Sequence, residues 1–144
     1  MTFPVTGDNI KKLIPQREPM VMVSSLESYA ENELLAGFEV PAVGTFVADG
    51  QLAESGLLEH MAQAVALHTG YSYYLRGEEA PMGYIGAMQQ LQIHRLPKVG
   101  EQVLSKVLIM QEFMGVTLVE IETTLGGEII AWARMKTVVA EENQ

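Results

Sequence analysis

The chain contains no cysteine, which removes disulfides, thiolate nucleophiles and cysteine-based metal sites together and fits a reducing compartment. Basic residues are scarce too: nine lysines and arginines stand against eighteen aspartates and glutamates, a formal charge of -9. Such a charge repels phosphate backbones, and the few cations form no block, so nucleic acid is not an expected partner. Nowhere do eighteen consecutive apolar residues occur, so no membrane span is expected. MTFPVTGDN has neither a basic start nor the apolar stretch that directs export, and the expected compartment is the cytoplasm. Histidine is limited to three positions, 60, 68 and 94. His68 lies eight residues beyond His60 and His94 falls on an expected strand; neither has a local carboxylate or second histidine at metal-ligand spacing, so no metal and no other cofactor is expected.

What remains is the composition of a folded chain, with 48% hydrophobic and 19% charged residues among 144. That length suits one domain spanning 1–144. Asp8 is placed to cap a short helix, NIKKLI, which Pro15 ends. MVMVSSLESY (20–29) and ELLAGFEV (33–40) are rich in strand formers and flank an Ala-Glu-Asn turn. From Leu52 to about Leu75 no proline occurs, and apolar residues recur three and four apart at Leu57, Met61, Ala64 and Val65, which predicts one long helix. Gly77 and Pro81 end it. Strands are expected over 82–95, 101–113, 116–125 and 128–140, parted by Pro-Lys-Val-Gly, Gly115 and Gly126-Gly127, with AEENQ as a solvated end. A lone apolar helix and a one-sided sheet each need the other's face, so the expected class is α+β, six antiparallel strands curled around the helix. Ala62, Ala64, Ala66 and Gly70 are the small residues that let the sheet come close.

Three stretches carry a resemblance. The helix holds Glu59-His60-Met61-Ala62-Gln63, similar to the E-x-M-A-Q motif of the hotdog-fold 3-hydroxyacyl-acyl-carrier-protein dehydratases. IKKLIPQREPMVMV (10–23) resembles that family's opening helix, Pro-His-Arg turn and first strand, and IHRLPKVGEQV (93–103) resembles its Arg-Pro-x-x-Pro-Gly-Asp strand exchange. The segment Phe46-Val47-Ala48-Asp49-Gly50, with Ala62-Gln63-Ala64-Val65-Ala66-Leu67-His68-Thr69-Gly70, is most similar to the aryl-polyene subgroup, which reads F-x-x-D-G and A-Q-x-x-A-x-x-x-G. Two positions depart from the pattern. Thr45 stands fourteen residues before Glu59, where the family's catalytic histidine would stand, and Gln16 replaces the histidine of the Pro-His-Arg turn.

The resemblance implies a hotdog dimer, with itself or with a second hotdog protein, acting on an acyl chain held by acyl carrier protein. Forming the 2-enoyl thioester requires taking a proton from C2 and protonating the hydroxyl that leaves C3, inside a dry tunnel. Ser55 and Gly56 at the helix start would offer N–H groups to the thioester oxygen. Glu59 follows one turn on and Gln63 another, so 55, 56, 59 and 63 share a face. A carboxyl among leucine, methionine and alanine resists ionisation, which suits Glu59 as general acid. Gln63 and Thr45 are expected at the substrate; Thr45 can hold a water but is no base near neutral pH. His60, about 100° around the helix from Glu59, reads as a core or interface histidine with its hydrogen bonds satisfied. Met82, Met88, Met110 and Met114 read as core filling ahead of tunnel lining, and Tyr71, Tyr73 and Tyr74 as cover for a core edge. His94-Arg95 with Lys98 is the candidate for docking an acidic carrier. Two other functions fit the same residues: a non-catalytic partner that supplies Glu59 to an active dehydratase, and a thioesterase.

Overall fold

The computed structural model describes residues 1–80 and 83–140. Met82 and most of the AEENQ terminus lie outside the described residues. The elements in chain order are β1 (Val5–Thr6), α1 (Asp8–Lys11), β2 (Ser25–Ala30), β3 (Glu33–Glu39), β4 (Val47–Ala48), β5 (Gln51–Leu52), α2 (Glu54–Leu75), β6 (Gly83–Ile93), β7 (Gln102–Phe113), β8 (Val116–Leu125) and β9 (Glu128–Ala140). Seven strands form one antiparallel sheet in the order β1-β2-β3-β7-β8-β9-β6, and β4 pairs with β5 alone. The α+β architecture expected from the sequence is therefore present, with α2 packed on β2, β3, β7 and β8.

Alternation builds the core. Along β7, Val103, Ser105 and Val107 point inward and are buried while Gln102, Leu104 and Lys106 face out, the period of a one-sided sheet. From α2, Leu57, Met61, Ala64 and Leu67 meet that face at helical spacing.

The opening differs from expectation. Helix α1 ends at Lys11 and its N-cap is Gly7, with no side-chain cap, so Asp8 is its first residue instead. The first long strand starts at Ser25, not at 20, because the backbone of Met20 and Met22 is bonded to side chains of α2 before any ladder forms. The helix begins two residues late, since Gln51 and Leu52 are drawn into a hairpin turned by Asp49 (φ 55) and Gly50 (φ 77), the paired positive φ of a type I′ turn. Gly70 does allow a close approach, but of the carbonyl of Leu13 and not of the sheet.

Candidate functional site

The resemblance-bearing stretches meet at the start of α2. Ala53 N–H donates to Phe46 O at 2.7 Å and Leu52 N–H to Pro97 O at 2.9 Å, while Val99 N–H donates to Gly50 O at 3.0 Å. The F-x-x-D-G hairpin and the 93–103 stretch thus frame the helix N-terminus. Gly56 makes this fit possible: a Cβ there would stand 2.6 Å from both Phe46 Cβ and Leu52 Cδ1.

Thr45 is exposed on the loop just before Phe46, and Ser55 is exposed on the first turn of α2. The two donors expected at the helix start differ. The N–H of Gly56 is already given to Ala53 O at 3.0 Å; among the described residues the N–H of Ser55 has no acceptor. A free N–H at the positive end of a 22-residue helix is suited to an oxygen that gains negative charge.

Glu59 is half-buried on the next turn, and Gln63 is buried below it. Gln63 Nε2 donates both to Met20 O at 2.7 Å and to Glu59 Oε2 at 2.8 Å, while its Oε1 accepts Met22 N–H at 2.7 Å. Met22 offers a donor and Met20 an acceptor, so the amide has one permitted orientation and its remaining hydrogen must face Glu59. Both amide hydrogens are thereby committed, and Gln63 has none left for a substrate.

His60 and His68 are both engaged away from this carboxylate. His60 is completely buried, with Nδ1 2.7 Å from Met22 O and Nε2 2.8 Å from Ser105 Oγ, its ring stacked on Phe38. Burial lowers its pKa from 6.5 to about 4, against the smaller opposing effect of the Met22 carbonyl. This is the satisfied core histidine read from the sequence. His68 donates through Nε2 to Ala30 O and Glu31 O at 3.1 and 2.9 Å, and stacks on Tyr29. Burial depresses its pKa as well, opposed by those two carbonyls and by the charge of Glu112. His94 is exposed at the end of β6.

A cleft of about 730 Å³ opens farther along α2, lined among others by Tyr29, Val65, His68, Tyr73, Ile109 and Val119. Glu59 lines neither that cleft nor a smaller one of about 420 Å³ beside Phe113 and Met114. Met110 and Met114 are 53% and 85% exposed, so neither is core filling, whereas Met88 packs partly buried against the core. Tyr71 is buried among Phe3, Tyr29 and Tyr74 and covers a core edge. Arg95 is paired with Glu128 at 3.2 Å, and Lys98, also exposed, has no ion-pair partner among the described residues. Among the described residues no three metal-ligating side chains converge and no helix is long and apolar enough to cross a membrane.

With this geometry in hand, comparison with known proteins is informative. A family model described as ApeP-like, ApeP dehydratase, matches residues 8–144. A curated relative, the 3-hydroxyacyl-[acyl-carrier-protein] dehydratase FabZ of Pasteurella multocida, is 25% identical over 137 residues, 91% of this chain and 89% of the relative. Among solved structures, the dehydratase heterocomplex ApeI:P from Xenorhabdus doucetiae superposes with a TM-score of 0.80 at 19% identity, covering 99% of this chain and 94% of that one. A hypothetical thioesterase with coenzyme A from Streptococcus pneumoniae gives 0.62 at 13% identity, over 83% and 87% of the two chains. At such identities the structural likenesses speak for the fold alone.

Proposed function

Because the chain belongs to the ApeP-like dehydratase family, with the hotdog fold, we propose that it takes part in dehydrating 3-hydroxyacyl thioesters on acyl carrier protein to the trans-2-enoyl form. Within that reaction it acts as the carboxylate-bearing subunit of a hotdog dimer. The observation that carries this reading is Glu59, held by Gln63 one turn inside the helix, while His60 and His68 are engaged elsewhere.

Glu59 protonates the hydroxyl leaving C3, and the bond from Gln63 keeps its carboxyl pointed while the proton moves. The N–H of Ser55, with the helix dipole behind it, polarises the thioester carbonyl and so acidifies the C2 hydrogens. Thr45 lies on the loop just before Phe46, whose carbonyl is bonded to the helix start, and can hydrogen-bond an oxygen of the substrate. Gly56 serves by its lack of a side chain, which seats the Phe46–Leu52 hairpin, and Gln63 serves by positioning Glu59. Thr45 stands where the family's histidine would stand, and its hydroxyl is no base for the C2 proton. A second chain supplies the base for that proton, together with a wall of the channel. Two features favour this: Glu59 lines neither of the two clefts described above, and the ApeI:P structure is a heterocomplex.

The test is an assay for enoyl product from a 3-hydroxyacyl carrier-protein thioester. The chain by itself is expected to give little product, and addition of a histidine-bearing hotdog protein to restore it. Glu59→Gln in this chain is expected to remove the restored activity. Restoration that survives Glu59→Gln would refute the assigned role, and release of free thiol would identify a thioesterase.

A further inference from the structure

His60 is fully buried, polar, and unused by the chemistry above, yet each of its ring nitrogens has a partner within 2.8 Å. The direction of every bond in this network is fixed. Met22 O can only accept, so His60 Nδ1 carries the hydrogen. Neutral His60 then presents a lone pair at Nε2, which accepts the O–H of Ser105. Ser105 Oγ lies 2.6 Å from Thr123 Oγ1, and with its own hydrogen spent it accepts the O–H of Thr123. A single chain of donors thus runs from β8 through β7 into α2 and ends on the backbone of Met22.

Met22 is held twice. Its C=O takes the hydrogen of His60 and its N–H goes to Gln63, so two side chains one turn apart on α2 grip both polar groups of one residue. Gln63 in turn takes its orientation from Met20 and Met22 and passes its last hydrogen to Glu59. We propose that His60 is a positioning residue for Glu59, acting through Met22 and Gln63, with Ser105 and Thr123 locking its Nδ1–H tautomer. The inference rests on the reading of Glu59 as the proton donor, but its geometric content stands apart from it. A histidine that only filled the core would contribute stability and leave the carboxylate indifferent to the hydroxyls of β7 and β8.

That difference is measurable on the full chain with ¹⁵N-labelled histidine and glutamine and ¹³C-labelled glutamate. Wild type is expected to show His60 as the Nδ1–H tautomer and Gln63 with two protected side-chain hydrogens. Thr123→Val, which keeps the shape and deletes only the terminal O–H, is expected to move both the Gln63 amide signals and the Glu59 carboxyl resonance. With the histidine-bearing partner present, the same variant is expected to lose kcat by roughly three- to tenfold at unchanged KM, the signature of a misaimed catalytic group. His60→Asn, whose amide can still donate to Met22 O, is expected to restore the Gln63 signals relative to His60→Leu; should His60→Leu fail to fold, Thr123→Val decides. An Nε2–H tautomer in wild type, or Glu59 and Gln63 resonances unmoved in folded Thr123→Val, overturns the proposal. If those resonances move but Glu59→Gln leaves dehydration intact, the functional reading fails and the positioning network stands.

Discussion

Gln63 and Glu59, four residues apart on α2, are joined by a 2.8 Å bond whose direction is set by the backbone of a segment about forty residues earlier in the chain, since Met22 N–H and Met20 O turn the Gln63 amide toward the carboxylate. Replacing Gln63 by leucine leaves that buried N–H and the neighbouring C=O without partners, at a cost of about 2–4 kcal/mol. Urea unfolding of Gln63→Leu should register this as a lower midpoint at unchanged m-value. Glu59→Gln should stay within about 1 kcal/mol of wild type, because a half-buried amide can still accept the same bond. Equal stability losses in the two variants would mean that the clamp on 20–22 is not where the energy lies.

Acid should weaken the fold through His60. Its pKa is lowered from 6.5 to about 4 by burial, so between those values the unfolded chain binds a proton that the folded chain refuses. Stability therefore rises with pH across this window and is lost as pH falls from 6.5 toward 4; one fully buried histidine accounts for about 2 kcal/mol by pH 5. His68 adds to the same slope, its pKa being depressed too. The share due to His60 is obtained by subtraction, since His60→Asn carries no titrating group at that position. Parallel stability curves for wild type and variant from pH 7 to 4.5 would contradict it.

A methyl at position 70 has nowhere to go. The Cβ of alanine there would overlap the carbonyl of Leu13, and a backbone atom cannot swing aside as a side-chain tip can. Alanine's advantage over glycine in a helix, about 1 kcal/mol, works the other way. Overpacking costs about 1–3 kcal/mol and more where the backbone must move, so the clash wins. Gly70→Ala should melt at least about 4 °C below wild type. A melting temperature at or above wild type would show that the 13–14 segment is loosely seated.

Much of this was legible where local chemistry and final contacts agree. Gly115 and Gly126-Gly127 mark the turns between three strands to within two residues, because a tight turn needs positive φ wherever the sheet ends up. The spacing of Glu59 and Gln63 on one helix face is equally local. The stretch 20–24 misled because its strand-forming side chains say nothing of where its backbone bonds go, and those go to Gln63 and His60, 38 to 41 residues away. Gly56 was read as a donor at the helix start, yet what the position demands is the absence of a Cβ against Phe46 and Leu52, a tertiary fact.

Met114 offers a stabilising change. It is 85% exposed at φ 53, next to Gly115 at φ 78, in the turn joining β7 to β8. Two successive positive φ values define a type I′ turn, in which asparagine is favoured at the first position and an unbranched apolar side chain is strained. Met114→Asn gives up almost no burial and relieves that strain, so it should stabilise the chain by about 0.5–1 kcal/mol, or roughly 2 °C in melting temperature. The outcome also tests how this turn is used. A melting temperature that instead falls, and falls further on dilution, would mean that Met114 is covered by another chain in solution, since stability varies with protein concentration only where folding is coupled to association.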